Sequence, residues 1–453
     1  MAFDFGGQIA YAQQQNFLKR AWESQLHARI GYLDSATKMV FPNQIGQTFT
    51  YTRPKPFVPT TTPLNPATIG SNLNNGMTPQ YFDVEQYVMQ LLTYGALSEV
   101  DIIAQKVLIA SEYLQNAVNL ATQARQSLDW LSRNQLLQNY TGGQTYVTET
   151  LFSTGPTIKV DNVLGFEKVF LDSMLQPVSP TNPLNAVIVG DNIYNLIGTT
   201  RDAVNTSQMA AYGAHSGTLT FSINVTIPDG TVFQRVLSPY RNQVIRPSGK
   251  ETTTQLVAGD YFTANMLIDA VSRLRNNAVK PHPDFGGYLL IGAPEAINQL
   301  AKDPTILQLF RTRMFSNDLY GDLELSHAYN CSFVETQDAI IEKVYIPGGG
   351  TLRTTQVVIC GDEVLHQGNF DMEPYQEEYQ LRKYGDSIYH YELSDDIMHI
   401  TRAPLDALGR QVSQTWQWIG GFTTPTDATI TPAIIPTADN AYYKRAVVLE
   451  FVL

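Results

Sequence analysis

The nearest thing to a catalytic or metal cluster in the sequence is His390, Glu392, Asp395, Asp396 and His399, two imidazoles bracketing three carboxylates. Those are the donor types that hold a divalent cation or move protons in acid–base catalysis. The spacing favours a plainer reading, because Ser394-Asp395-Asp396 is turn chemistry between two strand-like runs. The seven histidines are otherwise scattered, and none forms the His-x-x-x-His pair that places two ligands on one helix face. Gly348-Gly349-Gly350 lacks the Lys-Ser/Thr that completes a phosphate-cradling loop, and neither Gly-x-Gly-x-x-Gly nor Gly-x-Ser-x-Gly occurs, so the glycines read as a strand-to-strand turn. Cys331 and Cys360 sit in separate strand-like segments without zinc-type spacing and read as buried, reduced thiols. Paired carboxylates of a glycosidase come from distant parts of a chain, so spacing does not test for them, and no pair is marked. No cofactor is indicated.

Tyr51, Arg53, Lys55 and Phe57 mix basic and aromatic side chains as a nucleic-acid stacking patch does, but four residues do not make a groove. Contact with an acidic neighbouring subunit is the better account. The chain has 453 residues, a formal charge of −12 and only 16% charged residues, so Asn, Gln, Ser and Thr fill most of its surface. Such a surface packs against copies of itself without strong repulsion. Tight phosphate binding is disfavoured, since it needs clustered Lys and Arg that release counterions. A hydrophobic content of 43% excludes disorder for most of the chain, and the length suggests about three domains. No stretch of 18 consecutive apolar residues and no signal-peptide pattern occurs. The expectation is a chain made and used in a cytoplasm.

The elements that must position these residues form an α+β order. Gln8 to Ile30 is helix-prone, with Phe17, Trp22 and Leu26 able to dock on a partner. Gln47 to Arg53 alternates aromatic and threonine, a strand signature, and Pro54, Pro56, Pro59, Pro63 and Pro66 end it. Tyr81 to Val88 favours β again, so residues 46–93 read as a two-stranded arm with a polar tip, too thin to bury a core of its own. Between Gly95 and Gly142 there is neither glycine nor proline, and Val107, Ala110, Leu114, Ala117, Ala121, Ala124, Leu128 and Leu131 recur at helical spacing. That predicts one helix of about 35 residues. A coiled-coil rod would use the same stripe, but its alanines suit close packing on a sheet better. Residues 141–258 read as body strands interrupted by a β-rich insertion, including Thr218–Thr226 and Thr231–Leu237 around the turn Pro228-Asp229-Gly230. A second helix, Thr263 to Val279, turns Met266, Leu267, Ala270, Val271 and Leu274 inward before Pro281. Residues 284–400 read as a compact α/β unit with strands at Tyr288–Ile291, Ser332–Val334 and Val357–Ile359, and a helix opened by Pro294. Gln414–Gly421 and Ala446–Leu453 close the chain as strands, the last paired into the main sheet.

This order resembles the Hong Kong 97-type major capsid proteins of tailed bacteriophages, in detail the podovirus-type coat group. Gly46-Gln47-Thr48-Phe49-Thr50-Tyr51-Thr52-Arg53-Pro54 is similar to the strand that opens the family's E-loop. His282 to Asp303, with Gly286-Gly287-Tyr288 and Pro294-Glu295, looks like the start of its axial (A) domain, and Leu405 to Arg410 followed by Trp416 resembles its C-terminal peripheral (P) segment. Two departures are Asn330-Cys331-Ser332, where a glycine is common in the family, and the length of 141–258. The resemblance implies an N-terminal arm (1–45), E-loop (46–93), P-domain with spine helix (94–140), P-domain strands plus insertion (141–258), a P-domain helix (259–283), A-domain (284–400) and C-terminal P-domain strands (401–453). It implies a structural role, a self-assembling icosahedral shell of hexamers and pentamers around double-stranded DNA held without sequence-specific contacts. The E-loop residues Arg53, Lys55, Phe57, Leu64, Leu73 and Tyr81 would meet the neighbouring subunit, with no membrane involved. About 45 residues precede the E-loop, which implies a separate scaffolding protein and no large maturation cleavage, besides a portal and room for a decoration protein. Some relatives weld the shell through an E-loop lysine, and none stands between Pro56 and Gln80 here, so no weld is expected. The capsid would be built in the cytoplasm of a host bacterium. The reading from another class is a cytoplasmic, β-rich carbohydrate-active enzyme.

Overall fold

The computed structural model describes residues 31–41, 48–54, 60, 61, 63, 77, 84–101, 112–147, 155–160, 163, 165–171, 174–188, 192–201, 217–225, 235–238, 244–250, 256–313, 327–339, 341–345, 351–370, 388–394, 396–403, 411–425 and 445–453. The helix-prone segment 8–30 and the turn at 228–230 lie outside these residues.

After a 3-10 turn at Leu33–Ser35, the chain forms β1 (Ala36–Phe41), β2 (Thr48–Pro54), β3 (Val84–Gln90), β4 (Leu92–Asp101) and helix α1 (Glu112–Thr141). Its middle part carries β5 (Gln144–Tyr146), β6 (Gly155–Val160), β7 (Lys168–Leu171), β8 (Met174–Pro177), β9 (Leu184–Ile188), β10 (Asn192–Arg201), β11 (Gly217–Val225) and β12 (Arg235–Leu237). Then follow β13 (Val244–Ile245), α2 (Ala264–Asn276), β14 (Tyr288–Gly292), α3 (Pro294–Ala301), α4 (Pro304–Arg313), β15 (His327–Ala328), β16 (Cys331–Glu335), β17 (Ile341–Tyr345) and β18 (Thr351–Cys360). The last part holds β19 (Leu365–Phe370), β20 (Ile388–Ser394), β21 (Ile397–Ala403), β22 (Gln411–Thr423) and β23 (Ala446–Val452).

Three large sheets hold most of these strands, and β2–β3 and β7–β8 form two-stranded ladders of their own. The first runs β1-β19-β22-β21-β20 with β4 on β22, the second β5-β12-β9-β10-β11-β6, and the third β13-β23-β18-β14-β16-β15 with β17 on β18. The third sheet is covered on both faces, which is why β14 and β23 are buried along their whole length and read as unbroken apolar runs. Tyr288, Leu290, Val357, Ile359, Leu449 and Phe451 pack on one face with α2 and α3. Leu289, Ile291, Val358 and Val448 pack on the other with Leu136, Leu137 and Tyr140 of α1. The inward set of α2 is the expected one, Met266, Leu267, Ala270, Val271 and Leu274, all buried.

Helix α1 is the tie between sheets. Its first half lays Leu120, Ala121, Ala124 and Leu128 on Trp416 and Trp418 of the first sheet, while its last turns enter the core of the third. The alanines allow close approach to the bulky tryptophans, so the sheet-packing reading of the stripe holds. The helix does not fill the whole run free of glycine and proline, and residues 102–111 lie outside the described residues. Leu92–Asp101 is strand, because it pairs residue by residue with Gln411–Gly420 of β22, and a ten-residue ladder outweighs helix propensity. Tyr94 and Ala96 face the α1 core while Leu97 stands outward at 58% exposure. Gly95 fits this ladder, since a Cβ there would lie 2.6 Å from the Trp416 carbonyl oxygen. Described helix spans 30 residues from Glu112 to Thr141, roughly 45 Å of rod.

The second sheet has a core of its own, built from Ile158, Val160, Phe166, Leu184, Ile188, Leu196, Leu219 and Phe221 among others. Its exit is pinned to the third sheet by a buried ion pair, in which Arg246 Nε donates to Glu450 Oε2 at 2.5 Å.

Candidate functional site

The arm is a ladder with Thr48 opposite Gln90 and Pro54 opposite Val84. Its alternation is the one read from sequence: Thr50 and Thr52 are exposed, whereas Phe49 and Tyr51 are half-buried and meet edge to face with ring centroids 6.2 Å apart. Arg53 stands in this ladder opposite Glu85. Lys55, Phe57, Leu64, Leu73 and Tyr81 lie outside the described residues, so the ladder places one of the six expected contact residues. Of the tip, Thr60, Thr61, Pro63 and Met77 are described and exposed.

The arm meets the body at its root. Met89 is 2% exposed, and Tyr51 stacks on His366 of β19 at 4.9 Å between centroids. The floor beneath Met89 is Gly368 of β19 and Gly421 of β22, which are direct cross-strand partners. Sequence reading did not pick out this contact, although glycine inside a strand is a signal of close backbone approach.

A second anchor holds the chain that leads into β1. Asp129 of α1 accepts the backbone N–H of Tyr32 at 2.8 Å and of Leu33 at 2.9 Å through Oδ1. Burial, opposed by those two hydrogen bonds, pushes this carboxyl up to about 6. Arg133, one turn on, donates from Nη1 to the Asp338 carbonyl oxygen at 2.6 Å, and its guanidinium lies over the Trp130 ring.

The His390–His399 grouping becomes a hairpin. β20 and β21 pair Glu392 with His399 and Ser394 with Ile397, and Asp396 adopts a left-handed φ of 65° at the turn. Asp396 accepts from Asn369 Nδ2, and Asn369 Oδ1 takes Trp418 Nε1 at 3.2 Å and Gln367 Nε2 at 2.8 Å. That network fastens the turn to the first sheet. Among the described residues no three His, Cys, Asp or Glu side chains come together as a metal site, and no helix is long and apolar enough to cross a membrane.

Cys331 and Cys360 flank β14, opposite Tyr288 and Leu289, and their side chains belong to cores on opposite faces of the sheet. Both are free and buried. Burial pushes the Cys331 thiol up to about 12 and raises Cys360 as well, so neither is a nucleophile at neutral pH. The strands flanking Gly348–Gly350 pair Tyr345 with Thr351, as a strand-to-strand connection requires.

No protein-family model matches the chain, and no curated protein matches it in sequence. Among solved structures, the capsid of Ralstonia phage GP4 overlays with a TM-score of 0.50 at 9% identity, covering 100% of this chain and 97% of that one. The capsid asymmetric unit of cyanophage Pam1 (13% identity, TM-score 0.43, 90% and 86% covered) and the capsid of cyanophage P-SCSP1u (9%, 0.45, 98% and 91%) overlay less closely. At 9% identity the GP4 likeness is one of fold. The α+β architecture of this chain is of the Hong Kong 97 capsid type.

Proposed function

We propose that the chain is a major capsid protein, many copies of which close as pentamers and hexamers into an icosahedral head around the double-stranded DNA of a bacteriophage. The observation that carries this reading is the whole-length likeness to the GP4 capsid fold. The arm supports it, since Met89 is buried against the body while Thr50 and Thr52 stand exposed, and a two-stranded ladder is marginal alone. In this reading β2 and β3 open and close the E-loop, with Arg53, Lys55, Phe57, Leu64, Leu73 and Tyr81 meeting the next subunit. Helix α1 is the spine of the peripheral domain, residues 141–258 are its strands and insertion, and 284–400 form the axial domain that meets its copies at capsomer centres.

Such a role is geometric and needs no catalytic group. A charge of −12 suits it, because a shell that gripped phosphates would hinder the movement of DNA into the head. A shell of identical copies needs something to set its curvature and an opening for DNA, which makes a scaffolding protein and a portal the expected partners. A decoration protein on the outer face and assembly in the host bacterium's cytoplasm complete the proposal. Negative-stain microscopy and velocity sedimentation of the purified protein test it. Closed shells or capsomer rings are expected, whereas a stable monomer that hydrolyses a polysaccharide would select the carbohydrate-active enzyme instead.

A further inference from the structure

The point where the arm touches the body is a hole in the first sheet. Gly368 and Gly421 stand directly opposite each other on β19 and β22, so two adjacent strands lack side chains at one cross-strand position. Met89 fills that place. A Cβ built on Gly368 would lie 2.5 Å from Met89 Sδ and would overlap its terminal methyl group, and one built on Gly421 would overlap the Gln90 carbonyl oxygen and lie 3.3 Å from Met89 Cγ. Two residues before Gly368 on the same strand, His366 carries the Tyr51 ring. The arm's other face, with Thr50 and Thr52, is exposed. An unbranched thioether is suited to a narrow slot, since it enters without the Cβ branch that would strike the floor.

We propose that the Gly368–Gly421 hole is a seat that sets the direction of the arm, with Met89 as its plug and a positioning residue for assembly. Emptying or filling the seat then frees the arm from the body while leaving the body folded. The assembly part of this inference rests on the capsid reading, and the seat itself does not.

Three variants of the full chain test it: Met89→Ala empties the seat, Gly421→Ala fills it, and Met89→Leu keeps it occupied. In unassembled subunits, hydrogen exchange at the β2–β3 amides is expected to speed up at least about tenfold in Met89→Ala and Gly421→Ala, with β14, β18 and β23 still protected. The same two variants should give open or irregular assemblies where the parent and Met89→Leu give uniform shells. Wild-type exchange at the arm in Met89→Ala, or uniform shells from it, would overturn the proposal. If Gly421→Ala does not fold, Met89→Ala decides alone. If the parent chain forms neither shells nor capsomer rings, the capsid reading fails, and the exchange comparison still decides whether the seat holds the arm.

Discussion

The β2–β3 arm and the sheet built from β5, β6 and β9–β12 both leave the same body, yet they bury themselves in opposite ways. The second sheet has six strands and an interior of aliphatic and aromatic side chains contributed by its own residues. The arm has two strands, an exposed threonine face, and a fully covered side chain, Met89, whose cover belongs to the body. Apolar burial is the main favourable term in folding, and it scales with area removed from water. The inserted sheet therefore holds its own order, while the arm depends on the body at its root and, in the proposed shell, on the neighbour at its tip.

The harshest way to break this contrast is to remove the tip. Deleting residues 61–79 takes away polar, proline-rich chain between the two strands of the arm. The expected outcome is a soluble subunit with an unchanged circular dichroism spectrum and melting temperature that closes no shells. Parent-like particles from the deletion would show that the arm is not what joins neighbours.

The inserted sheet should respond oppositely, through stability. Phe221 is buried in its core, so Phe221→Ala should cost about 3–5 kcal/mol. Because that core is separate, calorimetry should resolve an early transition for the insertion while the rest of the body melts as before. Thr52→Ala on the exposed face of the arm should change stability by less than about 0.5 kcal/mol. A single transition shifted as a whole in Phe221→Ala would mean that the insertion and body fold as one unit.

A finer comparison concerns Tyr32–Ser35, another thin segment, which is tied to α1 by Asp129. The folded carboxyl titrates at about 6 against 3.8 for the ordinary group. Between those values the native state keeps a proton that the unfolded state has lost, so this group's contribution to stability falls as pH rises through the window. Up to about 3 kcal/mol is lost by about pH 7. Asp129→Asn keeps the acceptor for both N–H groups and cannot ionise, so the parent-minus-variant difference in unfolding free energy should fall by about 2 kcal/mol as pH rises from about 4 to 6.5. A difference that stays flat across that window would place the titration elsewhere.

How much of this was legible in sequence depended on how far apart the causes lie. The inward face of helix α2 was readable because its period and Pro281 are local, and the arm's aromatic–threonine alternation was readable for the same reason. The ladder of β4 on β22 was not, since Leu92–Asp101 becomes strand through a partner about three hundred residues away. The seat was hidden in the same way. Gly368 and Gly421 were visible as glycines, and nothing near them in sequence names Met89 as their occupant. The His390–His399 grouping shows the converse, for its turn reading was local and matches the hairpin, while the network through Asn369 that fastens it could come only from the fold.

The smallest effect expected is none at all, and it bears on how the arm carries load. An arm joined to its neighbour by a covalent bond would need a nucleophilic amine near the tip, and residues 56–80 contain no lysine. In the proposed shell the hold comes from strand pairing and apolar burial, each interface contributing roughly 25 cal/mol per Å² of covered apolar surface. Such contacts are strong in sum and dissolve in hot detergent. Boiling purified particles in dodecyl sulfate should release one band at the 50.5 kDa of the single chain, before and after any maturation step. A ladder of multimers would mean that a side chain outside the tip supplies the bond, and the arm would then be fixed by chemistry rather than by the cover it gains from its neighbours.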